Sequence, residues 1–377
     1  MRCNIWPFLY FLLYAFLVFV FNESILFYLT IWKCEWPCGE KGCDSKDLKV
    51  FMISDTHLLG ERLGHWLDKL KREWQMKQSF RHAVSIHKPD VVFFLGDLLD
   101  EGKWSNSQKF SEYANQFKNM FGDVNRAGEK PEIIVLSGNH DLGFHDYINP
   151  EIVDSFRREF KRSLIDEVYI KNHRFVLITS MALEGDGCRL CHEAEMRLKE
   201  LRNEKAPIVL QHYPLYRKSD GECEKLDYLH EIDEEEIYRE RWDTISKEST
   251  EKLIDWLNPR AVFDGHSHKM CKKRWTSKSP QDSSSKDYDF YEYTVNSFSW
   301  RNGDKPALLM VVINEENILV NSCRLPSEFV QFVIYFISGA IACIFLILSW
   351  CNCNLWPLRP TRKNSLPWCN NTGIKNE

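Results

Sequence analysis

Short apolar runs recur through the middle of the chain, and they share one kind of ending. Residues 48–54 (LKVFMIS), 91–95 (VVFFL), 133–136, 175–178, 208–210 and 261–263 are rich in β-branched and aromatic residues and stop at Gly, Asn, Asp or Ser, the signature of buried strands. Between the first two runs, Trp66, Leu70, Trp74, Phe80 and Val84 recur at helical spacing and predict a helix over about residues 62–87 that packs on a sheet. Strand and helix alternating in this way imply parallel strands flanked by helices. Further on, residues 290–295 and 308–313 have no helix between them, which predicts antiparallel pairing and, with the first half, two stacked sheets under outer helices. The stretch TSKSPQDSSSKD (276–287) reads as a surface loop.

Two apolar stretches are of another kind. Residues 5–21 and 25–32, interrupted by Asn22-Glu23-Ser24, are together long enough to cross a bilayer with Glu23 near an interface. A cleaved signal peptide is the rival reading, although its apolar region would be shorter and end in small residues. Residues 329–350 carry no charge and read as a second span rather than a core helix. The expected organisation is an anchor (5–32), a Cys-rich linker (33–46), a folded domain (47–326), a second span (329–350) and a tail (351–377). Arg359, Arg362 and Lys363 follow the second span, and Arg324 is the nearest base before it, so the tail is expected in the cytosol and the domain in a lumen.

Composition narrows the function. With 377 residues, 44% hydrophobic, 27% charged and a net charge of -5, the chain has the balance of a folded protein, and it lacks the basic surface that nucleic-acid binding needs. Eight of the 13 cysteines (Cys34, Cys38, Cys43, Cys188, Cys191, Cys223, Cys271 and Cys323) fall in the lumenal stretch. They suit disulfides whose pairing cannot be deduced, or a zinc site built from Cys188-x-x-Cys191 and Cys34-x-x-x-Cys38.

The chemistry gathers where the apolar runs end. The first run leads into Asp55-Thr56-His57, the second into Gly96-Asp97, the third into Gly138-Asn139-His140-Asp141, the fifth into His212 and the sixth into Gly265-His266-Ser267-His268. Loops at the carboxyl ends of strands converge in open α/β sheets. Carboxylate, amide and imidazole donors together match a pair of divalent cations of the Mn, Fe or Zn kind, with Asp97 the best bridging candidate. Residues two apart project the same way from an extended backbone but diverge to two metals in a sharp turn. Gly96, Gly138 and Gly265 allow tight turns just before the ligands.

Asp-x-His, Gly-Asp, Gly-Asn-His-Asp, His and Gly-His-x-His in this order resemble the calcineurin-like metallophosphoesterase superfamily, over roughly residues 48–322. The resemblance implies an α/β fold, a four-layer α/β/β/α sandwich, here flanked by two transmembrane helices. It implies Asp55, His57 and His268 on one metal, Asn139, His212 and His266 on the other, and Asp97 bridging. His140 would serve the substrate as acid, with Asp141 orienting it.

A lumenal domain of this kind between an N-terminal anchor and a C-terminal span resembles the superfamily's GPI-anchor remodelling phosphodiesterases. That implies two divalent metal ions, Mn2+ by analogy, and GPI-anchored proteins as substrate, losing a side-branch ethanolamine phosphate. It also implies residence at ER exit sites, the ER-Golgi intermediate compartment or the cis-Golgi, in support of transport from the ER. The ending GIKNE carries only Lys375 and lacks a full dilysine retrieval pattern. The ligand motifs handle only the phosphate, so a phosphodiesterase or pyrophosphatase acting on another lipid headgroup is the alternative, and a noncatalytic interaction module on the same fold is a third reading. An acidic stretch with Glu222, Glu224, Asp227, Glu231, Asp233, Glu234, Glu235 and Glu236, bracketed by Tyr213, Tyr216 and Trp242, is either a solvated face or a site for an ethanolamine ammonium.

Overall fold

A computed structural model describes residues 5–38, 42–122, 130–185, 187–188, 190–202, 204–224, 236–277, 288–303 and 305–355. They divide into two compact units, residues 23–331 and the two chain ends outside that range. The helices are α1 (Trp6–Val20), α2 (Leu26–Trp32), α3 (Trp66–His87), α4 (Ser107–Phe121), α5 (Asn139–Leu142), α6 (Pro150–Phe160), α7 (Cys191–Glu200), α8 (Lys247–Leu257) and α9 (Glu328–Leu355). The strands are β1 (Leu48–Ile53), β2 (Val91–Leu95), β3 (Glu132–Leu136), β4 (Ile165–Ile170), β5 (His173–Ile178), β6 (Ile208–Gln211), β7 (Ala261–Asp264), β8 (Cys271–Ser277), β9 (Tyr288–Thr294), β10 (Ala307–Ile313) and β11 (Ile318–Arg324).

The strands form two sheets, ordered β11-β10-β1-β2-β3 and β4-β5-β6-β7-β9-β8. Strands β1, β2 and β3 run parallel, as do β5, β6, β7 and β9. Period-two alternation explains why the buried strands read as continuous apolar runs. Leu48, Val50 and Met52 of β1 and Val91, Phe93 and Leu95 of β2 share one core with Phe175, Leu177, Ile208, Leu210 and Phe263 of the second sheet. The intervening Phe51, Ile53, Val92 and Phe94 face the helices instead. Phe94, for example, meets Phe117 and Phe121 of α4 at centroid distances of 5.0 and 4.9 Å. Helices on both outer faces complete the four layers.

Several expectations need correction. The 290–295 and 308–313 runs do not pair with each other: β9 lies beside β7 and β8 in the second sheet, and β10 beside β1 and β11 in the first. Three strands went unpredicted, β4, β8 and β11, all at sheet edges where polar residues break the alternation. The expected linker begins as packed structure, since Trp36 stacks on Phe51 at 5.4 Å and its indole N–H donates to the His87 carbonyl at 3.2 Å. The last turns of the first apolar stretch are also folded in, with Phe27 and Ile31 fully buried. All eight cysteines pair, Cys34–Cys323, Cys38–Cys43, Cys188–Cys191 and Cys223–Cys271, so the zinc alternative falls away. From residue 278 the predicted loop lies outside the described residues, as does the tail from residue 356.

Two helical stretches, Trp6–Trp32 and Glu328–Ser349, are long and apolar enough to cross a membrane, and most of their apolar side chains are exposed. The first contains a π turn at Phe21–Ile25 that carries Glu23.

Cys34–Cys323 closes the longest loop, 289 residues, tying the end of the first apolar stretch to β11. Cys34→Ala/Cys323→Ala should therefore lose about 2–5 kcal/mol of stability. Thermal unfolding of the detergent-solubilised full chain would check this, and Cys38→Ala/Cys43→Ala, with a separation of 5 residues, should cost less.

Candidate metal centre

The site lies where the carboxyl ends of β1, β2 and β3 meet those of β6 and β7, across the seam between the sheets. Its backbone is forced into uncommon geometry. Asp55, His57, Asp97, His266 and His268 all have positive φ, between 42° and 67°. That region costs a non-glycine residue energy and persists where the surroundings over-determine it. Both Asp55-x-His57 and His266-x-His268 are sharp turns, but only the second sends its two side chains to different ligand groups, while Asp55 and His57 stay in one. Gly138 and Gly265 serve close approach: a Cβ would stand 2.2 Å from Asp97 Oδ1 at Gly138 and 1.8 Å from Ser54 Oγ at Gly265.

Asp55, His57 and His268 form one group of potential ligands, and Asp97, His212 and His266 form another. In the first, the Nε2 atoms of His57 and His268 stand 3.2 Å apart, with Asp55 Oδ1 3.7 and 3.4 Å away. In the second, His212 Nε2 lies 3.2 Å from Asn139 Oδ1. Asp97 Oδ2 joins them, at 3.4 Å from His57 Nε2 and 3.3 Å from His212 Nε2. The structure thus brings together all seven residues whose types suggested metal ligation.

The outer ring nitrogens set the tautomers. Nδ1–H of His57 donates to Asp100 Oδ1 at 3.0 Å, Nδ1–H of His212 to the Leu95 carbonyl at 2.8 Å, and Nε2–H of His266 to the Trp242 carbonyl at 2.8 Å. In the neutral ring each such bond leaves the lone pair on the other nitrogen, the arrangement that orients metal-ligating histidines; at His57 and His212 a metal would have to displace a proton to use it. Asp55 Oδ1 is buried and, among the described residues, meets ring nitrogens only at 3.4 and 3.7 Å, with no hydrogen bond formed. Such an orphaned anionic oxygen is costly unless a cation completes it.

Electrostatics agree with that demand. Burial opposes the charges of Asp55 and Asp97, yet the surrounding imidazoles hold both carboxyls well below the usual range. Conversely, burial disfavours protonation of His57 and His212, but the Asp100 hydrogen bond and the Asp55 and Asp97 charges lift His57 to about 10, and Asp97 lifts His212 to about 9. His266, pressed by its enclosure and then by His212, is pushed down to about 3, so it stays neutral and able to ligate. Buried anionic oxygen with soft-to-borderline imidazole fits divalent transition metals.

Residues 48–270 match the calcineurin-like phosphoesterase family model. The chain belongs to the calcineurin-like phosphoesterase family. It is 57% identical over 343 residues to metallophosphoesterase 1 homolog of Caenorhabditis elegans, covering 90% of this chain and 91% of that one. To metallophosphoesterase 1 of Gallus gallus it is 36% identical over 360 residues, covering 88% and 87%. Among solved structures, the purple acid phosphatase PPD1 of yellow lupin (Lupinus luteus) is similar at a TM-score of 0.46 and 14% identity, covering 75% of this chain and 53% of that one.

As a calcineurin-like phosphoesterase the protein is a metal-dependent phosphoester hydrolase, and its fold and His/Asp clusters suggest a divalent metal pair. Behind the ligands lies a layer the sequence reading partly misassigned. Asp141 does not orient His140. It is fully buried, and its carboxylate accepts the backbone N–H groups of Leu98, Leu99 and Gly138 at 3.2, 2.9 and 2.8 Å, clamping the β2 and β3 loops together. Burial and then the Asp97 charge push its carboxyl up to about 7. His140 is held instead by Asp100, whose carbonyl accepts from Nδ1 at 2.9 Å. Arg301 in turn donates to Asp100 Oδ2 at 2.8 Å. Asp100 and Arg301 were missed, although Asp100 stands only three residues after Asp97 in GDLLD, one turn from the bridging position.

A cleft of about 360 Å³ runs beside His266 and His268, walled by Tyr238, Asp243, Lys269 and Asn302. Glu222, Glu224 and Glu236 are paired with Lys273, Lys272 and Lys269 at 2.9, 2.6 and 2.7 Å. These three acids are therefore partly neutralised already, and Asp227, Glu231, Asp233, Glu234 and Glu235 lie outside the described residues. Tyr213 stacks on the His266 ring at 4.0 Å.

Asp100→Asn should weaken metal affinity by about 10- to 100-fold through His57, without removing a ligand, as metal titration of the purified full chain would register. Asp97→Ala should empty or halve the metal content measured by elemental analysis, because its Oδ2 stands between both groups.

Proposed function

We propose that this protein is a binuclear phosphodiesterase that removes a side-branch ethanolamine phosphate from the mannose core of GPI anchors, held in an early secretory membrane by two spans with its catalytic domain lumenal. The observation that carries the chemistry is Asp97 Oδ2, set 3.4 and 3.3 Å from ring nitrogens of two separate ligand groups, with His140 at the rim. A lipid-borne substrate is supported by the two apolar helices and by the resemblance to GPI-remodelling enzymes. Four disulfides support an oxidising compartment.

Asp55, His57 and His268 would hold one cation, Asn139, His212 and His266 the other, and Asp97 both, with manganese the proposed metal. A divalent pair supplies Lewis-acid charge for phosphoryl oxygens and an ionised water near neutral pH. The rest falls to the chain's own groups. Nδ1–H of His140 is tied to Asp100, which fixes the ring, so that in the imidazolium form the second proton, on Nε2, is the one given to the leaving alkoxide, leaving the neutral ring behind. The backbone N–H of His140 donates to Asp97 Oδ1 at 2.7 Å, so acid and bridging carboxylate move as one piece. With Asp100 supporting both His57 and His140, ligand and acid share one anchor.

His140→Ala should keep its metal but lose about 10²- to 10⁴-fold in rate on diesters with poor leaving groups. Loss of metal instead would make His140 a ligand. In cells lacking this chain, wild type but not His140→Ala should remove one ethanolamine phosphate from released GPI glycans, read by mass spectrometry. An unchanged glycan mass in every case would shift the substrate to other lumenal phosphodiesters, such as another lipid headgroup.

A further inference from the structure

Helix α3 carries a stripe whose composition does not suit water. Trp66, Leu67, Leu70 and Trp74, with Leu63 in the loop just before, are 40 to 66% exposed. At 100° per residue the four helical positions fall within one narrow arc, while Gln75, Met76, Ser79 and Phe80 of the same helix are buried. Basic Lys69 and Lys71 flank the stripe. Trp and Leu on one side with cations beside them are what an interfacial helix presents to lipid.

The chain's route says what covers this stripe. The Trp74 indole N–H donates to the Glu23 carbonyl at 3.3 Å, at the π turn where the first apolar stretch passes from its exposed part to the packed α2. Lys71 and Arg72 each meet Glu328 at 2.7 Å, and Gln75 Nε2 donates to Gln331 Oε1 at 3.2 Å, where the chain enters the second. Both stretches thus depart from one turn of α3. The α2 helix runs alongside in the same direction, since Tyr28 meets His82 and Ile31 meets His87. Following the first stretch back toward Glu23 therefore leads toward the start of α3, where the stripe lies. That start is also the metal end, reached from His57 through residues 58–65. Glu101, next to Asp100, accepts the backbone N–H groups of Glu61, Arg62 and Leu63 at 3.1, 2.9 and 2.7 Å, fixing the stripe's first residue to the site.

We propose that the stripe of Leu63, Trp66, Leu67, Leu70 and Trp74 lies in the lipid surface and holds the metal centre facing the membrane, so that phosphodiesters anchored in the same leaflet reach it directly. This rests on the reading of the two apolar helices as spans. Tryptophan belongs at the membrane–water boundary, and burying the leucines removes exposed apolar area next to the exit points.

The test places a photoreactive benzoylphenylalanine, one site at a time, at Leu67 or Leu70, at Leu12 or Ile341 within the apolar helices, and at Tyr169 on β4, in the full chain reconstituted into phosphatidylcholine vesicles. The expected result is lipid adducts at Leu67, Leu70, Leu12 and Ile341 and none at Tyr169. Adducts at Leu12 and Ile341 without any at Leu67 or Leu70 would overturn the stripe and leave the spans standing. Adducts at none of the four would overturn the spans themselves, and crosslinks from Leu67 or Leu70 to a second copy would make the stripe a dimer surface.

Discussion

The structure depends on keeping the Asp97 carboxylate charged at the seam of two sheets. One oxygen faces His57 from the first sheet's loops and His212 from the second's, and the other accepts the His140 N–H. Both sheets deliver their chemistry at the carboxyl ends of parallel strands, so the seam is where donors from each can meet. The cost is visible in the backbone: five of the site's residues, Asp97 among them, sit at positive φ. A buried anion is costly unless it is compensated, by the protons of His57 and His212 before metal binds and by divalent cations once they do.

Outside the ligands, the supporting groups are shared. Asp100 binds Nδ1 of both His57 and His140, and Arg301 fixes Asp100 from the last third of the chain. Asp141 draws together backbone N–H groups from two loops. His57 and His140 are consequently mechanically linked, and Glu101 extends the linkage to the loop that begins α3. If α3 meets lipid, the same rigid path sets the height of the site above the bilayer.

Much of this was legible in the sequence because the informative residues follow buried strands. Apolar runs such as VVFFL are continuous when both faces are covered, and their ends mark where ligands stand. Three of the four edge strands, β4, β8 and β11, were illegible for the complementary reason. CKKRWTS of β8 and IDEVYI of β4 have an open side, so charge replaces alternation. Disulfide partners are joined by topology, as Cys34 and Cys323 are, and no spacing rule foretells that. Asp141 was misread because adjacency to His140 in sequence suggested contact, whereas the short α5 turn sends the two side chains apart, one to the rim and one into the core.

With two cations bound, Asp97 would be the residue shared between them. Electron paramagnetic resonance of the manganese-loaded full chain tests it most directly. Two manganous ions sharing Asp97 should give an exchange-coupled spectrum. The uncoupled hyperfine pattern of isolated manganous ions, at full metal loading, would contradict the account.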